Sequence, residues 1–188
     1  IHSVSANQTD LQLKTDSSIL MEATTGSILY EHNSNQRKYP ASVTKIATAI
    51  YAIENANLDD IVTVSENARY AEGTRVYLEA GEQVTLEKLL YGLMINSGND
   101  AAVAIAEHIS GSEKQFGIDL TNYLIRKTGI QNTNFTNSSG LFDENHYTTA
   151  YDLAKIIQYA MKNETFMKFF NAKELRWIGE SWDTTIVS

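Results

Sequence analysis

"YPASVTKIATAI", residues 39–50, begins at the chain's only proline and places a lysine three residues after a serine. Pro40 suits the first turn of a helix, and Val43, Ile46, Ile50 and Ile53 fall on one apolar stripe at helical spacing. Asn55-Ala56-Asn57 ends the run. Ser42 and Lys45 then share a helix face, close enough to touch. A serine hydroxyl is a poor nucleophile until a base takes its proton. Lysine is that base only when neutral, which its ordinary pKa of about 10.4 makes rare at pH 7. Burial lowers that pKa, and the partial positive charge at a helix start acts the same way. The first turn of a buried helix therefore suits a Ser-x-x-Lys pair chemically. The spacing fits equally a capping serine followed by a lysine on the wet face, and the rest of the chain must decide.

Upstream, residues 18–31, "SILMEATTGSILYE", read as two short strands around a Thr-Thr-Gly turn. Downstream, residues 59–84 read as strands and loops punctuated by Gly73 and Gly81. Thr85 stands where a cap belongs, and Leu86, Leu89, Leu90, Leu93 and Met94 form a clean amphipathic pattern. "NSGND" breaks it, and a second apolar helix runs to Gly111. A third is expected over about 113–127, with Gly129 as C-cap glycine. Thr149 and Asp152 resemble a variant capping box for a helix to about Asn163. The tail, "KELRWIGESWDTTIVS", reads as one strand stopping at the chain end. With no repeat or linker, the organisation is a helical block following an N-terminal hairpin.

Composition narrows the function classes. The chain has 188 residues, 43% hydrophobic and 20% charged, enough for a sizeable core. No apolar run reaches the roughly 18 residues that span a bilayer. The start at Ile1, without a basic-then-apolar leader pattern, reads as a processed or cloned product. Fifteen basic against twenty-three acidic residues give a net charge of -8, with no basic cluster, so no nucleic-acid partner is expected. The absence of cysteine excludes disulfides and thiolate chemistry. His2, His32, His108 and His146 are scattered, with no His-x-x-x-His pair, so no metal site is expected.

A second motif is Ser97-Gly98-Asn99. Ser5-Ala6-Asn7 and Ser65-Glu66-Asn67 share its pattern, but 97–99 sits at a glycine-relieved break between two apolar helices. A hydroxyl and an amide can point into a cleft there, or simply cap the junction.

Together the two motifs match the serine penicillin-recognising enzymes, whose set is Ser-x-x-Lys, Ser-x-Asn and Lys-Thr-Gly. "SSILMEATTGSILYEHNSNQRKYPASVTKIATAI" resembles the N-terminal hairpin and active-site helix of the low-molecular-weight penicillin-binding D-alanyl-D-alanine carboxypeptidases. "TLEKLLYGLMINSGNDAAVAIAEHISGS" resembles their second-motif region, and "NTNFTNSSGLFDENHYTTAYDLAKI" the segment that follows. The similarity runs from about residue 18 to 160. It implies an α+β, β-lactamase/transpeptidase-like fold, an antiparallel sheet packed against helices.

It also implies roles. Ser42 would attack the penultimate D-alanine of a peptidoglycan stem peptide ending in D-Ala-D-Ala, its own N–H serving as one oxyanion donor. Lys45 would take the proton, Ser97 would relay one to the leaving amine, and Asn99 would hold a substrate carbonyl while orienting Lys45. β-Lactam antibiotics would acylate Ser42 and stay attached. Such enzymes work outside the cytoplasmic membrane, usually tethered by a C-terminal segment, so a membrane tether is expected only through a segment absent from these residues. A β-lactamase or transpeptidase of the same superfamily is the alternative, as is a non-catalytic module binding cell-wall peptide or β-lactam.

Lys127-Thr128-Gly129 spells the third motif 28 residues after Asn99, at a predicted helix end. In the family that triad lies on a strand roughly a hundred residues beyond the second motif, so the helix C-cap reading is adopted. The chain then reads as the N-terminal portion of the catalytic domain, with its sheet incomplete. One missing oxyanion donor alone costs about 10²–10³ in rate, so these residues by themselves are expected to make a poor enzyme.

Overall fold

The computed structural model describes residues 13–179 and 183–187. Strands β1 (Ser18–Met21) and β2 (Ile28–His32) form the expected antiparallel hairpin, Leu20 opposite Tyr30. A 3-10 turn, Ala41–Val43, leads into α1 (Thr44–Asn55). The stripe expected to orient this helix does not decide its packing. Val43 is exposed, whereas Thr44, Lys45 and Ala47 to Ala52 are all buried. Helix α1 is the central rod of the molecule, and its alanines let neighbours approach on several sides.

Strands β3 (Ile61–Thr63) and β4 (Gln83–Thr85) pair antiparallel and bracket a short helix, α2 (Glu66–Arg69), that the sequence reading did not anticipate. Thr85 caps α3 (Leu86–Asn96), its hydroxyl accepting from Lys88 N at 3.2 Å. Leu86, Leu89, Leu90 and Leu93 are buried as expected. Helices α4 (Asn99–Ser110) and α5 (Glu113–Thr128) follow. Gly129 closes α5 in the left-handed region, φ 72°.

Thr149 caps α6 (Ala150–Ala160) through Asp152 N at 3.0 Å. The Asp152 carboxylate does not reciprocate: it accepts from Asn132 N and Thr133 Oγ1 at 2.8 and 2.7 Å, tying the preceding loop to the helix. The helix expected to reach Asn163 instead ends at Ala160. Asn163 starts α7 (Glu164–Phe170), accepting from Phe166 N at 3.0 Å. The tail is not one strand but a hairpin, β5 (Glu174–Ile178) with β6 (Asp183–Val187). Its Trp177 is buried against α3, where Gly92 leaves the room: a Cβ there would lie 3.1 Å from the indole.

The antiparallel strands pack on helices, as an α+β fold requires. Among the described residues they form three separate ribbons, β1–β2 against α6, β3–β4 against α3 and α4, and β5–β6 against α3.

Candidate active site

The 3-10 turn before α1, the α3–α4 junction and the end of α7 converge on a cleft of about 370 Å³. Ser42, Lys45 and Ser97 supply its polar groups, and Leu93, Met94 and Phe170 its apolar wall. A similar-sized groove between β1 and α6 is lined by apolar side chains and Gln158, with no nucleophile or charge. Ala41, next to Ser42, and Ser97 are both non-glycine residues in the left-handed region, at φ 50° and 53°. Such conformations cost about 1–3 kcal/mol and persist where surroundings impose them.

Ser42 is exposed to the cleft, whereas Lys45 is only 5% exposed. Burial pushes the Lys45 amine down from 10.5 to about 8. No carboxylate pairs with it among the described residues. Its Nζ donates to Ser139 O at 2.8 Å, and no hydrogen bond joins it to Ser42 Oγ. Such bonds often tighten only once substrate is bound.

Residues 137–141 form the platform under this amine. Thr48 Oγ1 donates to Ser138 O at 2.7 Å, and Ser138 donates both N–H and O–H to Glu113, at 2.7 and 2.6 Å. Asn137 braces the turn, accepting from Gly140 N at 2.8 Å and donating to Leu141 O at 2.9 Å. Gly140, at φ 85°, lies so close to the turn before α1 that a Cβ would sit 1.9 Å from Ala41 O. Tyr39 Oη donates to Gly140 O.

His146 anchors the same segment. Thr136 N donates to Nδ1 at 3.0 Å, so Nδ1 is unprotonated and Nε2–H faces Thr44 Oγ1 at 2.8 Å. Burial holds this imidazole near pKa 4, below its ordinary 6.5, although Asp143 pulls upward. Between those values the unfolded chain binds the proton and the native one does not, so stability falls as pH drops through that window. The expected loss reaches about 3 kcal/mol by pH 4. Urea titrations at pH 7 and pH 4.5 check this, because a His146→Gln variant should show a markedly flatter dependence.

At the α3–α4 junction Ser97 is the left-handed C-cap of α3 and Gly98 the N-cap of α4. Asn99 does not line the cleft. Its Nδ2 donates to Glu72 O at 2.5 Å and its N–H to Thr74 O at 2.7 Å, so it holds the 72–74 loop. Asp100, 0% exposed, accepts from Val76 N and Leu78 N, both at 3.0 Å, and from Ala101 N at 2.9 Å. Tyr77, between the two clamped amides, takes φ 60° with 60% of its surface exposed.

The structure thus joins Ser42, Lys45 and Ser97 and leaves Asn99 to one side. Lys127 lies in the last turn of α5 and lines a different cleft, with Lys155 and Lys162. Sequence reasoning assigned nothing to Glu113, Thr48, Ser138, Ser139, Gly140 or His146. Two signals touched the 137–146 stretch, the turn-rich character of "QNTNFTNSSG" and the family resemblance of residues 132–156, and neither pointed to these side chains. Phe170 was missed with the rest of α7.

A family model described as D-alanyl-D-alanine carboxypeptidase matches residues 3–184. D-alanyl-D-alanine carboxypeptidase DacF of Bacillus subtilis is 41% identical over 170 residues, 88% of this chain and 43% of that protein. DacA of Haemophilus influenzae is 36% identical, covering 93% of this chain and 49% of that protein. The crystal structure of D-alanyl-D-alanine carboxypeptidase DacD from Francisella tularensis superposes with a TM-score of 0.87 at 32% identity, over 100% of this chain and 46% of that one. The chain spans about half the length of the curated relatives it matches.

Proposed function

This chain belongs to the D-alanyl-D-alanine carboxypeptidase family, and from that premise we propose that it carries the acylating machinery of a serine carboxypeptidase acting on peptidoglycan stem peptides ending in D-Ala-D-Ala. Ser42 Oγ attacks the carbonyl carbon of the penultimate D-alanine, and Lys45 Nζ takes the hydroxyl proton. As the tetrahedral adduct collapses, the peptide C–N bond breaks. The terminal D-alanine leaves as an amine, protonated through Ser97. Water then cleaves the Ser42 ester and restores the hydroxyl. The Ser42 N–H serves as one oxyanion donor. Every step is acyl or proton transfer, so the cycle as written uses no cofactor.

The observation that carries this reading is the buried Lys45 amine, sharing one cleft with Ser42 and Ser97 and titrating near 8. At pH 7 about one molecule in ten then holds the free base, against about one in three thousand at an ordinary lysine pKa. Asn99 gives one Nδ2–H to Glu72 O in the 72–74 loop, and holding a substrate carbonyl falls to the other. The peptide carboxylate and second oxyanion site need groups beyond these, because Lys127-Thr128-Gly129 closes α5 instead. The 188 residues are read as an N-terminal portion of the catalytic domain. The place of action is outside the cytoplasmic membrane. No helix among the described residues is long and apolar enough to cross it, so any tether would come from other residues.

A fluorescent penicillin tests the assignment. Labelling should map to Ser42, vanish in Ser42→Ala, and accelerate about tenfold between pH 7 and pH 9 as Lys45 loses its proton. Labelling that survives Ser42→Ala overturns the nucleophile. Rapid release of the label would instead indicate a β-lactamase, and failure to liberate D-alanine from a diacyl-D-Ala-D-Ala peptide would refute carboxypeptidase action.

A further inference from the structure

We infer that Glu113 is a positioning residue for the site, acting through Ser138 to fix the backbone on which the Lys45 amine rests. The inference builds on the reading of Lys45 as the base and extends it to a side chain on a different helix. Three consecutive residues make the connection. Ser138 gives both its donors to the Glu113 carboxylate at 2.7 and 2.6 Å, while its carbonyl accepts from Thr48 at 2.7 Å. The carbonyl of Ser139 accepts from Lys45 Nζ at 2.8 Å, and Gly140 lies against the Ala41–Ser42 peptide. The segment is clamped between α5 and α1, and the catalytic amine takes its place from the clamp.

A carboxylate in that position is costly to keep. No cation pairs with Glu113 among the described residues. Burial pushes its carboxyl above the ordinary range, the Ser138 bonds pull it back, and the Glu107 carboxylate adds an upward push. A favourable charge at a helix start explains an acidic residue in the first turn. It does not explain a side chain turned inward onto one serine's two donors. A short acceptor that takes both donors holds a loop residue in register, which is what the Ser139 carbonyl requires to meet Lys45 at bonding distance.

Glutamine in this position retains an acceptor for Ser138 N–H and offers its amide to Ser138 Oγ, so Glu113→Gln should largely preserve the clamp, whereas Glu113→Ala removes it. The direct readout is the titration of Lys45 in the 188-residue chain, followed by carbon-13 NMR at Cε and assigned by the signal lost in Lys45→Arg. The companion readout is the penicillin acylation rate, split into binding and chemistry. Lys45 should titrate near 8 in the unaltered chain and in Glu113→Gln, with labelling within about threefold. In folded Glu113→Ala it should move toward the ordinary lysine value, and the acylation step should slow at least tenfold at pH 7, with the initial binding constant little changed.

If Glu113→Ala does not fold, Ser138→Ala, which deletes only the Oγ bond, should show a smaller shift in the same direction. Lys45 titrating alike in all variants, or Glu113→Gln as damaging as Glu113→Ala, overturns the inference. A Lys45 amine already near its ordinary value in the unaltered chain refutes the base reading itself, so the two failures are told apart.

Discussion

Gly140→Ala is expected to slow acylation of Ser42 by about 10²-fold or more and to destabilise the fold by about 3 kcal/mol. Two costs coincide there. The left-handed φ of 85° penalises any side chain, and the new methyl would overlap Ala41 O, 1.9 Å away. Neither partner is the free end of a flexible side chain, so two backbones must separate. Their separation draws Ser139 O from Lys45 and Gly140 O from Tyr39. Gly129→Ala is the internal control. Its φ of 72° is similar, but nothing lies within 4 Å of its Cβ position. It should cost only about 1 kcal/mol and leave acylation alone. Equal effects from the two substitutions, by thermal melts and labelling rates, would refute the close-approach argument.

Asp100→Ala should lower stability by about 3–5 kcal/mol, because it strands buried Val76 and Leu78 amides and removes an acceptor from the first turn of α4. Asp100→Asn should recover little, since an NH₂ group would meet one of the same donors. The loss should be local in the first instance. Hydrogen exchange at residues 76–78 should accelerate well before exchange in the α1 core, and unchanged protection there would show that the carboxylate is not what holds the turn.

The parts of this molecule that are local in sequence were legible in it. Thr85, Thr149 and Gly129 announce helix ends through atoms within four residues of themselves. For that reason Lys127-Thr128-Gly129 could be recognised as a helix terminus despite spelling a catalytic motif. Ser42 and Lys45 were legible because one helical turn brings them together, and Ser97 because a glycine-bearing break interrupts an apolar pattern. The supports were not. Glu113 looks like any acidic first-turn residue, and nothing near it in the chain reveals Ser138, 25 residues on. His146 looked like one of four scattered histidines until Thr44, 102 residues away, met its Nε2. The direction of Asn99 was set by the 72–74 loop, which has no periodicity to read. Helix α7 is hidden in the sequence because Asn163 reads as the end of one helix, whereas its side chain begins another.

The span of those supports governs when the turn that carries Ser42 is fixed in place. The ties that hold the turn before α1 reach forward 101 residues from Tyr39, 102 from Thr44 and 94 from Lys45. Loop-closure entropy rises with such separations and must be met before the contacts repay it. A chain emerging from the ribosome can therefore wind its early helices while Ser42 still lacks its geometry. The cleft around Ser42 is completed late, when the segment around residue 140 docks.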